Sequence, residues 1–105
     1  MRYLLIYYGG AMPGTPAQQA RVMKQWTTWF NKLGPAIVDP GNPFSGKVNK
    51  IKPESGVSKG PVGQRASGYS IIEALSLDAA TKLARSCPVI KSGGQVAVYE
   101  TFNVM

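Results

Sequence analysis

The chain has 105 residues, of which 44% are hydrophobic and 10% aromatic, and this composition predicts one folded domain, residues 1–105, with a single core. Twelve lysine and arginine residues against five acidic residues give a net charge of +7, which favours anionic partners through long-range attraction. Histidine is absent and Cys87 is the single cysteine, so the sequence excludes a disulfide within the chain and predicts neither a metal site nor a cofactor.

The first predicted element is a strand over residues 2–8, which are apolar or aromatic at every position after Arg2. The apolar run within it, Tyr3–Tyr8, is far shorter than the roughly 20 residues that cross a bilayer. No small-residue cleavage site of a signal peptide follows this run. The sequence therefore predicts a cytoplasmic protein that does not enter a membrane.

A helix is predicted to begin after Thr15. Thr15 is a suitable N-cap, Pro16 suits the first helical position, and Gln18 completes a capping box. Gly34-Pro35 is predicted to end the helix. Apolar side chains between these signals repeat at helical spacing, and core packing is favoured over a binding surface for the two tryptophans among them. The stripe consists of Val22, Met23, Trp26, Trp29, Phe30 and Leu33.

A polar insertion, residues 40–60, follows a short predicted strand over residues 36–39. Residues 46–60 within it are predicted to form a hairpin that turns at residues 52–56. The region is strongly basic, and two interpretations stay open: a face that binds an anionic partner, or a solvated hairpin whose lysines prevent edge-to-edge aggregation. Only Glu54 opposes the cations of this region, which are Lys47, Lys50, Lys52, Lys59 and Arg65.

The last third of the chain predicts a strand, a helix and a strand. Residues 68–75 form the predicted third strand of the sheet. Ser76 is a suitable N-cap for the second helix, and Asp78 complements the helix dipole in its first turn. Pro88 is predicted to prevent continuation of this helix. After a glycine loop, residues 95–102 are predicted to form the last strand.

Cys87 follows the inward-facing positions of the second helix, which are Leu77, Ala80, Leu83 and Ala84. This position predicts a buried core residue that closes the helix. A reactive thiol is the alternative. Such a thiol needs exposure and a neighbouring cation, and Arg85 would supply the cation.

The order of these elements is β-α-β-β-α-β, which predicts an α+β, ferredoxin-like fold with an antiparallel sheet. Both helices of that arrangement cover one face of the sheet. The other face should be polar if it were solvated, yet the first strand is apolar on both of its faces. A second copy of the chain would cover this open face, so the sequence predicts a homodimer packed sheet to sheet.

Glu73 is the acidic residue of the third predicted strand. Alternation places it on the open face beside Tyr69 and Ile71, where partial desolvation would raise the pKa of its carboxyl group. Such a group is a candidate acid or base at a cleft. The alternative interpretation is an ion pair at the dimer rim, with Arg2 or Arg65 as the partner.

Residues 59–74 place three glycines and two cations before the third strand. A nucleotide P-loop is excluded, because these glycines precede a strand and no Gly-Lys-Ser or Gly-Lys-Thr follows. An anion held by Lys59 and Arg65 is one alternative. An RNA-recognition motif is another, but Ile71 and Ala74 stand where its strand carries aromatic residues.

Several short motifs follow one another along almost the whole chain. They are Met1–Tyr7, Gly60-Pro61, Gly68–Ala74, Ser76–Ala80, Cys87-Pro88 and Val96–Val98. In order and spacing, these motifs resemble the YCII-related family, and in particular its DGPF-type branch. The likeness is weakest between residues 40 and 58.

The resemblance implies a dimeric α+β barrel, in which two ferredoxin-like subunits face each other across a cleft. Some family members are thought to be enzymes with an Asp–His pair at that cleft, and some DGPF-type members occur beside sigma factors. This chain has no histidine, and it carries Lys59 and Val62 where the motif has its acid and its phenylalanine. The acid–base pair of the family is therefore not carried over.

Taken together, the sequence predicts a homodimer that binds a small anionic or aromatic metabolite in an inter-subunit cleft. Tyr7 and Tyr69 are the predicted ligand-binding aromatics, and Arg65 is the predicted cation of the site. Glu73 would be the proton carrier if a reaction is catalysed, which the sequence leaves open. The alternative is a regulatory or protein-interaction domain without catalysis. Nucleic acid is not an expected partner.

Overall fold

The structure is a computed structural model that describes residues 1–10 and 14–104, and it shows an α+β fold with an antiparallel sheet. The strands are β1 Arg2–Tyr8, β2 Ile37–Asp39, β3 Asn49–Lys52, β4 Gly56–Lys59, β5 Gly68–Glu73 and β6 Gln95–Glu100. The helices are α1 Pro16–Leu33, α2 Leu77–Ala84 and α3 Pro88–Lys91, with a 3-10 turn at Gly34–Ala36.

Four strands form the central sheet in the order β2-β5-β1-β6, and every neighbouring pair is antiparallel. In the middle of β1, Leu5 lies opposite Ser70 of β5 and Val98 of β6. The strands β3 and β4 pair with each other as a separate two-stranded sheet. This pairing confirms the hairpin that was predicted within residues 46–60.

The start of α1 follows the predicted capping chemistry. The Thr15 hydroxyl accepts a hydrogen bond from the Gln18 backbone N–H at 3.2 Å, and Pro16 occupies the first turn. At the other end, Gly34 has a φ of +54°, and its N–H donates to the Phe30 carbonyl. Glycine permits this left-handed backbone without the steric penalty of a Cβ atom. The helix therefore begins and ends where its sequence signals place it.

The second half of the chain differs from the prediction at one point. Ser76 caps α2 as predicted, accepting a hydrogen bond from the Ala79 N–H at 3.1 Å. Pro88 does not merely follow a finished helix, however, because it begins the short helix α3. The fixed φ of proline suits the first helical turn, where its missing N–H is not needed. The last two strands also end two residues earlier than predicted, at Glu73 and Glu100.

The helices cover one face of the central sheet, and the core lies between them. Along β1, buried side chains on the covered face alternate with half-buried side chains on the other face, which we call the open face. Among the described residues, no element covers the open face as fully as the helices cover the first. The core contains Tyr3, Leu5, Tyr7, Trp29, Leu33, Ile72, Ala80, Ala84, Cys87 and Val89. The open face of the sheet carries Leu4, Ile6, Tyr8, Tyr69, Ile71, Ala97 and Tyr99. Within residues 1–10 and 14–104, no helix combines the length and apolar character needed to cross a membrane.

Candidate functional site: an aromatic cavity beside Tyr7

A cavity of about 350 Å³ lies between α1, the ends of β1 and β5, and the segment of residues 40–44. We call it the aromatic cavity. Among the described residues that line it, none carries a charged side chain. The walls are therefore suited to an uncharged or largely apolar guest. Its aromatic lining residues are Tyr7, Trp26, Phe30, Phe44 and Tyr69.

The aromatic rings on the α1 side contact one another in a continuous cluster. Tyr7 meets Trp26 edge to face, with ring centroids 5.1 Å apart and an interplanar angle of 70°. Trp26 also contacts Phe30 at 5.6 Å and Trp29 at 5.8 Å. Edge-to-face and tilted arrangements at these distances are favourable for aromatic pairs. The cluster consequently holds this wall of the cavity in a defined shape.

The second aromatic wall is a stacked pair. Phe44, from the segment 40–44, lies with its ring centroid 6.0 Å from that of Tyr69, and the two planes differ by 23°. Tyr69 belongs to the open face of the sheet, whereas Tyr7 belongs to the covered face. Both tyrosines nevertheless line the aromatic cavity, because it lies at the end of the sheet where β1 ends and β5 begins.

A buried chain of hydrogen bonds fixes Tyr7. Its hydroxyl donates to Ser70 Oγ at 2.7 Å, and Ser70 Oγ in turn donates to the Pro40 carbonyl at 2.7 Å. Burial raises the pKa of Tyr7 above its ordinary value, so its side chain is a neutral phenol at physiological pH. Because its proton is donated to Ser70, the Tyr7 oxygen would meet a ligand as an acceptor.

Hydrogen bonds hold the segment 40–44 between the end of β2 and the residue that precedes β5. The Gly41 N–H donates to Asp39 Oδ1 at 2.8 Å, and the Phe44 N–H donates to the Ser67 carbonyl at 2.8 Å. Gly41 has a φ of +72°, and a Cβ atom at this position would clash with the Tyr69 carbonyl oxygen. Only glycine permits this close approach, which seats Phe44 over Tyr69.

Two of the four residues predicted for the site meet at the aromatic cavity, namely Tyr7 and Tyr69. Arg65 lies instead in a neighbouring surface depression of about 560 Å³, where its Nη1 donates to the Gly46 carbonyl at 2.7 Å. We call this the Arg65 depression. It also contains Lys47, and it shares Pro43 and Phe44 with the aromatic cavity. The predicted cation therefore lies next to the cavity, but not in its lining.

Glu73 lies at the opposite end of β5 from Tyr69 and Gly68, and it does not line the aromatic cavity. Its carboxylate is 52% exposed and forms an ion pair with the Met1 amino group at 2.7 Å. Within the described residues, neither Arg2 nor Arg65 pairs with it. Glu73 thus shares the open face with Tyr69, as alternation predicted, but it lies outside the lining of the aromatic cavity.

Cys87 is fully buried, as the position after the second helix predicted. Burial raises the pKa of its thiol from 9.0 to about 11, so the thiol stays protonated at physiological pH. This environment opposes the alternative of a reactive thiolate beside Arg85, because reactivity needs exposure and a lowered pKa. The described part of the chain contains no cluster of three potential metal ligands either.

Sequence reasoning assigned Trp26 and Phe30 to the helix stripe, but not to the wall of a cavity. Both are only partly buried, in contrast to Trp29 on the same stripe, which is 3% exposed. Phe44 was not singled out at all. The signal available for it was the combination of Gly41 and an aromatic residue in an otherwise polar insertion, since glycine often marks a close backbone approach.

Comparison of the chain with models of known protein families gives no match. A comparison with curated proteins gives none either. The resemblance of the short motifs to the YCII-related family therefore stays a prediction.

Proposed function

We propose that the protein is a homodimeric, YCII-like domain that binds a small, flat, largely apolar metabolite in the aromatic cavity. The observation that carries this proposal is the cavity itself. Its volume of about 350 Å³ falls in the range of small-molecule sites, and its walls are aromatic on two sides. Rings on both walls would pack against the faces and edges of a planar guest.

The Arg65 depression extends this proposal to an anionic substituent. Lys47 and Arg65 both line the depression, which adjoins the aromatic cavity at Pro43 and Phe44, the two residues that line both. A ligand with an aromatic body and an acidic group at one end would place the body in the cavity and the acidic group near these cations. Guanidinium groups bind carboxylates and phosphates through paired hydrogen bonds.

Binding, rather than catalysis, is the function that the arrangement of side chains supports best. The Tyr7 proton is donated to Ser70, and the Cys87 thiol is buried and protonated. The hypothesis that Glu73 carries a proton would need the ligand to reach the far end of β5. If turnover of the ligand is found, Glu73→Gln should abolish it, and retained turnover would reject this role.

The proposed homodimer rests on the open face of the sheet. The strand order β2-β5-β1-β6, with helices on one side of the sheet, supports the proposal of a ferredoxin-like unit. Leu4, Ile6 and Ile71 remain only half-buried on the other side, and a second copy would remove them from water. Tyr69 lies on this face and also lines the cavity, so the proposed interface would adjoin the ligand site.

Ligand binding in the aromatic cavity is tested with a cavity-filling variant, Val22→Trp, and a matched control, Val57→Trp. Val22 lines the aromatic cavity, whereas Val57 is 64% exposed on the hairpin. Native mass spectrometry of the untagged protein is expected to show an adduct on the wild type and on the control, but not on Val22→Trp. The variants are also titrated with anilinonaphthalene sulfonate, an aromatic anion, with the same expected pattern. Adduct and dye binding that survive Val22→Trp, or that are absent from the wild type, would reject the site.

The dimer is tested separately by Ile71→Lys, with Ile51→Lys as the control at a position that is 77% exposed on the hairpin. Burying an unpaired ammonium group in an apolar interface is strongly unfavourable. Sedimentation is therefore expected to show a dimer for the wild type and for the control, and a folded monomer for Ile71→Lys. A wild-type monomer would reject the dimer while leaving the ligand test unaffected.

A second candidate function is a non-catalytic regulatory or interaction domain, in which the basic hairpin β3–β4 binds the partner. The observation in its favour is that the hairpin exposes Ile51 and Val57 beside its lysines. The hairpin triple variant K50Q/K52Q/K59Q should then lose the partner while retaining the adduct in the aromatic cavity. RNA binding on the open face is less well supported, because Ile71 and Ala97 offer no aromatic platform beside Tyr69.

A further inference from the structure

A second concave surface of about 360 Å³ lies on the helix side of the molecule, between α1 and α3. We call it the basic groove. Its lining combines cations from both helices with a floor that contains Trp29 and Pro88, and the described residues that line it include no aspartate or glutamate. The groove shares no lining residue with the aromatic cavity. Its cations are Arg21, Lys24, Lys32 and Lys91.

The spacing along α1 places three of these cations on one side of the helix. Arg21, Lys24 and Lys32 are separated by three and eight residues, and at 3.6 residues per turn they fall within an arc of about 80° around the helix axis. At 1.5 Å per residue, Arg21 and Lys32 are about 16 Å apart along the helix axis. The positive charge is therefore extended along the groove instead of being concentrated at one point.

These cations are not neutralised within the described part of the chain. The single ion pair found there joins Glu73 to the Met1 amino group, and no lysine or arginine side chain takes part in one. The sequence of α1 contains no acidic residue at all. Like charges that line one groove repel one another and raise the local concentration of anions. The surface is therefore suited to an anionic partner.

The floor of the groove indicates which part of a partner would be contacted. Trp29 is buried, and its indole N–H is already bonded to the Leu83 carbonyl and to Ser86 Oγ, at 3.3 and 3.1 Å. It consequently offers no exposed ring face on which a base would stack. The remaining donors at the groove are the cations and the side chains of Gln25 and Thr28. Such donors bind phosphate oxygens.

We propose that the basic groove binds the phosphate backbone of a nucleic acid without reading its sequence. An extended row of phosphates fits cations spread over about 16 Å better than one compact anion does. An anionic bilayer is less suitable, because Trp29 and Pro88 are buried and would not insert into it. The residues of the open face did not predict a nucleic acid as a partner. The basic groove lies on the other side of the molecule, where the helices are.

The proposal predicts binding that depends strongly on salt. Four phosphate contacts give a slope of roughly −3.6 for log K against log salt concentration with a duplex. The dissociation constant at physiological salt is expected in the range of roughly 10⁻⁴ to 10⁻⁶ M, and it should be similar for unrelated sequences. Binding should not change when the aromatic cavity is filled by Val22→Trp.

The test compares two triple variants that remove the same number of charges. The groove triple variant is K24Q/K32Q/K91Q, and its control is the hairpin triple variant K50Q/K52Q/K59Q. Fluorescence anisotropy with a labelled duplex of mixed sequence is measured over a series of salt concentrations. The groove triple variant is expected to bind more than about tenfold more weakly and to have a slope near −1, while the hairpin triple variant keeps roughly the wild-type slope.

All exchanged lysines of the groove triple variant are exposed, so circular dichroism should show an unchanged fold. If the triple variant does not fold, the single variants Lys24→Gln and Lys32→Gln replace it, each with an expected slope change of about 0.9. Absence of duplex binding by the wild type would reject the proposal. Equal losses in both triple variants, or binding only to vesicles of an anionic phospholipid, would reject it as well.

Discussion

The two faces of the central sheet are similar in composition but differ in what covers them. Along β1, Tyr3 and Leu5 are fully buried beneath the helices, whereas their neighbours Leu4 and Ile6 are only half-buried. The open face continues to Tyr99, which is 55% exposed. Apolar character alone therefore does not identify the core face of a strand. The helices decide which face becomes the core.

Polar residues distinguish the faces where apolar residues do not. The prediction that Ser70 and Ile72 face the helices while Ile71 and Glu73 face away is confirmed by burial. Ser70 is fully buried, yet its hydroxyl is not left unpaired. It accepts a hydrogen bond from the Tyr7 hydroxyl and donates one to the Pro40 carbonyl. A carboxylate in that position would have lacked such compensation.

The largest expected difference between the faces comes from Ile72→Ala and Ile71→Ala. Ile72 is fully buried, so its truncation should lower the free energy of unfolding by about 3 to 4 kcal/mol. The neighbouring Ile71 is only half-buried, and its truncation should cost about 1 kcal/mol in the monomer. Urea denaturation measures both values. Equal losses at low protein concentration would show that the two faces do not differ as described.

The contact between the segment 40–44 and Tyr69 is tested by Gly41→Ala, with Gly46→Ala as the matched control. Both glycines have positive φ values, of +72° and +96°, but only Gly41 has neighbouring atoms within reach of a Cβ atom. The control should lose about 1 kcal/mol from backbone strain alone. Gly41→Ala should lose about 2 to 3 kcal/mol, because the segment 40–44 must also move away from Tyr69.

A loss in Gly41→Ala no greater than that of the control would show that Gly41 does not seat Phe44 over Tyr69. Binding of anilinonaphthalene sulfonate to the two variants sharpens the same point. We expect weaker binding for Gly41→Ala, since the wall formed by Phe44 would be displaced, and unchanged binding for Gly46→Ala.

The two tyrosines of the cavity provide a smaller contrast. Tyr7→Phe removes a buried hydrogen bond to Ser70 and should destabilise the protein by about 1 kcal/mol. Within the described residues, the Tyr69 hydroxyl has no hydrogen-bond partner, so Tyr69→Phe should have almost no effect. Thermal denaturation compares the two. A larger loss for Tyr69→Phe would mean that the open face, too, is closed by polar contacts.

Burial on the covered face also makes the stability of the protein depend on alkaline pH. The folded state raises the pKa of Cys87 from 9.0 to about 11, so the thiol contributes full stability below pH 9. That contribution is lost as the pH rises towards 11, because the unfolded chain releases the proton first. Burial also raises the pKa values of Tyr3 and Tyr7, which adds to the decline.

Cys87→Ala isolates the contribution of the thiol to this decline. The free energies of unfolding of the wild type and the variant, measured across the alkaline range, should converge as the pH rises from 9 to 11. Parallel curves would show that the thiol is not protected by the covered face.

About half of the candidate site was accessible from the sequence. Tyr7 and Tyr69 were the aromatic residues predicted to bind the ligand, and both line the aromatic cavity. Phe44 was not selected, because its contact with Tyr69 joins residues that are distant in the chain. Glu73 was grouped with Tyr69 by alternation along the strand, and Arg65 by its place in the preceding loop. Neither pattern fixes the distance between these side chains and a cavity.

The sequence by itself determined the elements whose signals are local. The cap at Thr15, the glycine stop at Gly34, the hairpin and the alternation in β5 depend on residues a few positions apart, and each was predicted. Only the tertiary structure decided what required distant segments to meet. The aromatic cavity needs α1, the segment 40–44 and β5 together, and the basic groove needs α3 beside α1. Packing between such segments depends on the whole chain, so no local pattern encodes it.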